Sequence, residues 1–493
     1  MRRIGILMWV FIATILLPVG VVHAQGNQWL DDPGQLGHYA VGHTKYLMVD
    51  KDAGNRPVFF SVWYPVDARD INSSTPPALY PTDPYTDPEY FSPTFSTDWE
   101  KLGYDRAYEG PTPSNDGPFP LLMVSPGFGA DAFMYIFIGT RLASHGYVVA
   151  VLEHWADSEW PWSQFDDLLT VMVNRPRDVS FAITQLLSKS STRGELLFRT
   201  IDPRRIAASG HSIGGYATYT LAGGDHLVCD ALWPVLSGSD SLPYPANTCV
   251  ATPPDRRIKA IISLDGSSQV LRYHELASIS VPSLIMGDTV DQSEVIDANG
   301  DLRDWIARPR AAINRDDSYR VDVNGANHYS WTNFCDTGQV WFNLGWISSD
   351  DLTAWETSWP CASTGWFPVT ISSADGHKVV TKYMISLLDL YLGRPNISKW
   401  LDSWILSPEY ALSHTPTVQF FDSEACHAVL PGHTYFTYRA YQTSSECDVA
   451  QKDPTGWFGT PSTFTSSNVA TPMVLTPAPV PSVPFGPLKK KPF

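Results

Sequence analysis

The sequence predicts an α/β fold, a mostly parallel central sheet with helices on both faces. Two observations carry that expectation. The runs "PFPLLMVS" (118–125), "YVVAVL" (147–152) and "IKAIISL" (258–264) are apolar nearly throughout instead of alternating, as strands buried on both faces are. Between them lie segments with apolar residues at helical spacing, such as Val179, Ala182, Ile183, Leu186 and Leu187. Strand and helix patterns that alternate along a chain build parallel sheets through crossover helices. With 493 residues, 43% of them hydrophobic, the chain can bury a large core, and global disorder is excluded.

Each element follows in order. Arg2 and Arg3 precede the apolar run 4–17, and Val22-His23-Ala24 offers a small-residue cleavage site. This predicts a signal peptide over 1–24 and a secreted or periplasmic mature protein. The run falls short of the ~20 apolar residues of a membrane span, and no later stretch reaches that length. "TKYLMVD" (44–50) and "PVFFSVWY" (57–64) flank "KDAGNR" and predict a β-hairpin. Residues 65–118, rich in Pro, Asp, Tyr and Ser, read as a long surface loop. The first buried strand then leads into Gly127-Phe128-Gly129, a helix near 132–144, the second strand and the amphipathic helix. "RRIAAS" (204–209) runs into a glycine-rich bend and a small-residue helix. "IKAIISL", "VPSLIMG" (281–287) and "YRVDV" (319–323) complete the sheet. "KVVTKYMISLLDLYLG" (378–393) is a long helix closed by Gly393 ahead of Pro395.

Three segments break this rhythm. The main domain therefore spans 25–394 with insertions at about 225–257 and 329–373, followed by an extension at 395–460 and a Pro-rich tail at 461–493, expected to be disordered. The second insertion holds six tryptophans, at 331, 341, 346, 355, 359 and 366. They form either a platform for a sugar or lipid, or a flap packed on the body. "EHWADSEWPW" (153–162) leaves a strand's carboxyl end and is placed to line a cleft there.

Charge and cysteines narrow the partners. A net charge of −17 leaves no basic face to neutralise phosphates, which excludes nucleic acid. The six cysteines fall into three local couples, Cys229–Cys249, Cys335–Cys361 and Cys426–Cys447. Each couple closes a loop worth very roughly 3 kcal/mol in the chain-entropy description. No C-x-x-C pair exists to suggest zinc. Asp297, Asn299 and Asp301 are spaced like the start of a calcium loop, but Leu302 and Arg308 stand where glycine and glutamate are needed. An acidic turn is expected there, not a metal site.

The chemistry centres on Gly210-His211-Ser212-Ile213-Gly214, a G-x-S-x-G pattern between a predicted strand and a predicted helix. Such an elbow holds its serine on a strained turn, where flanking glycines avoid a Cβ clash. A serine hydroxyl attacks only when a base takes its proton, so an acid and a histidine should follow. His328 in "VNGANHYSW" (323–331) lies just past the strand "YRVDV" and is the expected base. His211, His226 and His274 precede that strand. The acid stays open among Asp265, ending "IKAIISL", and Asp288 and Asp291, after the next strand. An oxyanion hole needs two backbone N–H groups. Ile213, after the nucleophile, supplies one, and Phe128 the other, because Pro126 has none.

With these residues in place the chain resembles the lipoprotein-associated platelet-activating-factor acetylhydrolases and the related bacterial esterases and cutinase-like polyesterases. "SPGFG" (125–129) is similar to their Ser-His-Gly-x-Gly loop, with Pro126 at the usual histidine. "LASHGYVVA" (142–150), Arg175-Pro176-Arg177-Asp178-Val179 opening a helix, "DPRRIAASGHSIGG" (202–215) and "ANHYSW" (326–331) extend the likeness over roughly 44–393. The resemblance implies an α/β-hydrolase fold and a short-chain esterase or lipase-like activity that needs no cofactor. It also bears on the acid. Acetylhydrolases of this type carry it in a Leu-Asp pair, here Leu264-Asp265; cutinase-like relatives carry it four residues beyond a glycine, here Gly287 and Asp291. The expected triad is therefore Ser212, Asp265 and His328, with Asp291 as the alternative acid. The expected partner is an ester: a small lipid-like ester, a phospholipid or a polyester. A peptidase or amidase on the same fold, and a non-catalytic binding protein using the tryptophan-rich insert, are the rival readings. Oligomeric state is left open by the sequence.

Overall fold

A computed structural model describes residues 33–78, 80, 106–154, 168–224, 253–268, most of 271–410, and three short strands between 418 and 441. The strands β1 (Ala40–Asp50) and β2 (Arg56–Val66) form the predicted hairpin, paired from Ala40 opposite Val66 to Asp50 opposite Arg56. Gly54 and Asn55 both take positive φ, 72° and 65°, the backbone that suits a tight hairpin to twisted strands. β3 (Ala107–Glu109) lies in the stretch expected to be loop and pairs parallel with the β1 edge. Buried aromatic residues draw that stretch in: the Trp63 indole N–H donates to the Tyr80 hydroxyl at 3.2 Å.

The core strands are β4 (Phe119–Ser125), β5 (Val148–Glu153), β6 (Ile201–His211), β7 (Ile258–Leu264) and β8 (Ser283–Asp288). A separate ladder of β9 (Glu294–Ile296) and β10 (Leu302–Asp304) precedes β11 (Ser318–Val323). β12 (Val418–Phe421) pairs antiparallel with β11, so the C-terminal extension contributes a strand to the main sheet. β13 (Cys426–Val429) and β14 (Tyr438–Tyr441) form another pair. The ten-stranded sheet runs β12-β11-β8-β7-β6-β4-β5-β2-β1-β3. It is parallel from β5 through β11 and antiparallel where β2 meets β5.

Alternate residues of these strands serve two cores. One face of β4 and β5, with Leu122, Val124, Val149 and Val151, packs on α1 (Ile136–Ser144). The other face, with Leu121, Met123, Val148 and Ala150, packs on α2 (Leu168–Ser191) and α3 (Ile213–Gly223). That two-faced burial is why the strands read as unbroken apolar runs. α2 does not open at the Arg-Pro motif. It begins at Leu168 and carries Pro176 inside, because buried Val171 and Met172 extend its apolar stripe toward the N-terminus.

After α4 (Tyr273–Ala277) and α5 (Ala307–Ala312), the second insertion folds as α6 (Phe334–Asn343) and α7 (Ser349–Thr357). α8 (Ser373–Leu392) joins α1 on its face, capped by Ser372 and ended by Gly393 at φ 64°. α9 (Lys399–Ile405) packs on α8. The Cys335–Cys361 disulfide is formed across the insertion. Cys229, Cys249 and Cys447 lie outside the described residues, as do 1–32, the acidic turn at 297–301 and the tail 461–493. Among the described residues no helix is long and apolar enough to cross a membrane.

Candidate active site

Ser212 follows the carboxyl end of the central strand β6 on a backbone of positive φ, φ 55° and ψ −123°. That conformation is strained for a residue with a Cβ, and neighbouring hydrogen bonds hold it. The Ser212 N–H donates to Leu264 O at 3.1 Å, and its carbonyl accepts from Ser267 N at 2.8 Å and Gly215 N at 2.9 Å. The flanking glycines are required by space. A Cβ on Gly210 would sit 2.0 Å from Gly214 O, and one on Gly214 would sit 1.9 Å from Ser125 O. The first turn of α3 therefore rests directly on the backbone that follows β4.

His328 stands on the loop after β11 and is partly exposed. That loop is built from its own polar residues: Asn327 Oδ1 accepts from Tyr329 N at 3.0 Å, and Asn327 N donates to Ser330 Oγ at 3.0 Å. Asn333 N reaches Met134 O at 2.7 Å and ties the loop to the residues before α1. The His328 Nδ1–H donates to the carboxylate of Asp265, a fully buried residue just past β7. Asp265 also takes a positive φ, 44°, and its N–H donates to Met286 O at 2.8 Å. Asp288 is buried at the end of β8. Asp291 lies outside the described residues, as does His226.

His211, immediately before the nucleophile, plays a part that spacing did not suggest. Its Nε2 lies 2.8 Å from the His328 carbonyl, which only accepts, so Nε2 carries the proton. Its Nδ1 then accepts from the Tyr135 hydroxyl at 2.9 Å, and that hydroxyl accepts from Gly127 N at 2.7 Å. Burial, with the proximity of His328, pushes the His211 pKa well below the usual range and keeps it neutral. One hydrogen-bond chain thus joins the loop after β4, the elbow and the histidine loop. Tyr135 was invisible to pattern reading.

The two expected oxyanion donors lie on adjoining segments. The Ile213 N–H is a first-turn donor of α3 and has no intrahelical acceptor. Phe128 sits on the loop that rests on α3, with its side chain 41% exposed. "EHWADSEWPW" does not line a cleft at its start. Glu153 and His154 are buried, and the His154 ring is hydrogen-bonded to Asp178 behind the loop. Residues 155–162 lie outside the described residues.

The aromatic insertion adjoins the histidine. His328 meets Tyr329 edge-on at 5.7 Å, Tyr329 packs on Phe334 at 4.9 Å, and Phe334 stacks on Trp355 at 4.7 Å. Trp331 is fully buried. Trp346, Trp359 and Trp366 lie outside the described residues. Among the described residues no group of three His, Cys, Asp or Glu is placed to hold a metal ion.

Comparison with known proteins gives similarities over parts of the chain. The family model of platelet-activating factor acetylhydrolase, isoform II, matches residues 25–183. A bis(hydroxyethyl) terephthalate hydrolase of Streptomyces coelicolor is 33% identical over 112 residues, 23% of this chain and 31% of that protein. A cutinase of Thermobifida alba is 28% identical over 110 residues, 22% of this chain and 32% of the cutinase. The chain thus matches about a third of the length of these curated relatives. A ferulic acid esterase structure from Streptomyces cinnamoneus aligns with 78% of this chain and 97% of its own, at 21% identity and a TM-score of 0.44. The mostly parallel sheet and the serine elbow are those of an α/β-hydrolase fold, and parts of the chain are similar to the platelet-activating factor acetylhydrolase family and to cutinases.

Proposed function

We propose that the protein is an exported serine hydrolase of carboxylic esters, with Ser212, His328 and Asp265 as its triad. The observation that carries this reading is the Asp265–His328 hydrogen bond on the loops flanking the Ser212 elbow. With Nδ1 donating to Asp265, the neutral imidazole of His328 keeps its lone pair on Nε2, the form a general base requires. In the proposed reaction Nε2 takes the Ser212 proton as Oγ attacks the ester carbonyl. The oxyanion accepts hydrogen bonds from the Ile213 and Phe128 N–H groups. His328 then protonates the departing alcohol, and the acyl-enzyme is cleaved by a water that His328 deprotonates. No cofactor enters this scheme. The substrates we propose are small uncharged esters and polyesters, which suits a chain similar to a terephthalate ester hydrolase and to cutinases. Export after cleavage near Ala24 belongs to the same proposal.

The test is hydrolysis of p-nitrophenyl esters with a fluorophosphonate probe in parallel. Wild type is expected to label at Ser212 and turn over short-chain esters. Ser212→Ala is expected to lose both, with kcat down on the order of 10⁴-fold or more. Asp265→Asn should cost about 10³- to 10⁴-fold in kcat while Asp291→Asn costs little. The reverse ranking would move the acid to Asp291. Turnover of anilides at rates matching the esters would favour the amidase reading instead.

A further inference from the structure

The motif Arg175-Pro176-Arg177-Asp178-Val179 has no role in the acyl transfer above. Two of its side chains are nonetheless buried charges, Arg175 at 1% exposure and Asp178 at 0%. Both end behind the loop that carries Phe128. Arg175 donates to the Pro126 carbonyl and, at 3.0 Å, to the Gly127 carbonyl. Its Nη1 also lies 3.4 Å from Ser125 Oγ. The Ser125 hydroxyl donates to His154 Nε2 at 2.9 Å, and His154 Nδ1 donates to Asp178 at 2.9 Å. Arg56 holds Asp178 from the other side, at 2.9 Å through Nε and 3.1 Å through Nη2. Burial opposes a charge on Asp178, but Arg56 and His154 outweigh it and keep its pKa below the usual carboxylate range. The groups Asp178, His154 and Ser125 repeat the order of a catalytic triad, yet all three are at most 1% exposed, so no substrate reaches them.

We infer that Arg175 is a positioning residue for the oxyanion hole, braced through Ser125 by His154, Asp178 and Arg56. This rests on the serine-esterase reading. The C=O and N–H of a trans peptide point in opposite directions. With the Gly127 carbonyl captured by the guanidinium, the Phe128 N–H of the same peptide unit is turned away from Arg175. On its other flank the loop meets the elbow, where a Cβ on Gly127 would stand 2.9 Å from His211 Nδ1. Loss of Arg175 releases this peptide to flip and to present a carbonyl where the oxyanion needs a donor.

The experiment compares full-length wild type, Arg175→Gln, Arg175→Lys and Ser212→Ala on p-nitrophenyl butyrate. Rates are normalised to sites titrated to completion with a fluorophosphonate, and a trifluoromethyl ketone reports oxyanion binding. Arg175→Gln is expected to lose about 10²-fold in kcat per titrated site, with KM changed less than about threefold. Its Ki for the ketone should rise by a similar factor. Arg175→Lys, which keeps a single cationic donor, should lose about tenfold and so rescue part of the effect. If Arg175→Gln does not fold, Arg175→Lys decides alone. Per-site kcat within about twofold of wild type, or a loss explained wholly by fewer titratable sites, overturns the inference. If Ser212→Ala hydrolyses the ester as well as wild type, the esterase reading fails and takes this one with it. An inactive Ser212→Ala beside an unimpaired Arg175→Lys overturns the positioning role alone.

Discussion

Tyr135 shows what a single hydroxyl can coordinate. It accepts a hydrogen bond from Gly127 N–H and donates one to His211 Nδ1, at separations of 8 and 76 residues along the chain. Tyr135→Phe leaves a buried N–H and an imidazole nitrogen unserved, so stability should fall by about 1–3 kcal/mol in urea unfolding. Ester turnover should fall with it, by about tenfold in kcat if the loop at Gly127 loosens. Nothing in the local sequence marks Tyr135, because its partners are set by the packing of β4, α1 and β6. The acid was half legible. A carboxylate at the end of a strand was readable at Asp265, at Asp288 and at Asp291. The contact with His328 depends on β7 and β11 lying one strand apart in the sheet, and spacing along the chain does not carry that.

The insertion after His328 behaves as an element of its own. Its cysteines are 26 residues apart, so their cross-link removes about 3–4 kcal/mol of chain entropy from the unfolded state. Reduction, or Cys335→Ser with Cys361→Ser, is expected to expose α6 and α7 to proteolysis first, read as cleavage between 334 and 357 before the sheet is cut. α6 and α7 lie so close that a Cβ on Gly338 would meet Trp355 at 2.5 Å. Asp336 in α6 adds a pH term. Burial pushes its pKa up to about 7, partly offset by the Ser373 hydroxyl. A carboxyl raised in the fold favours the protonated folded state, so its contribution is full below about pH 4 and lost as pH rises toward 7. Asp336→Asn should therefore raise the unfolding midpoint at pH 8 and change it little at pH 4. Local patterning could find the helices, but burial of an aspartate beside a disulfide is a tertiary fact.

At the scale of the whole molecule, the core strands and the covering of the sheet on both faces were largely legible, because a strand covered on both faces reads as an unbroken apolar run. The pairing of β3 and β12 onto the sheet edges was not, since those strands are short and their partners distant. Acid sensitivity is also a global property. His211 and His377 are buried and neutral, His377 lowered to about 3 chiefly by burial. A histidine whose pKa is lowered in the fold takes up a proton on unfolding, so stability falls as pH drops below about 6.5. His377→Asn should flatten that slope in urea midpoints measured from pH 7 to pH 4.5. The neutral state of His211 has a kinetic consequence as well. Its ring lies 4.6 Å from that of His328, and both of its nitrogens are engaged, by Tyr135 and by the His328 carbonyl. When His328 becomes a cation during turnover, the adjacent His211 ring is a dipole and not a second positive charge. The rate of ester cleavage should accordingly climb with pH along a single one-proton limb, with no second ionisation from the adjacent ring.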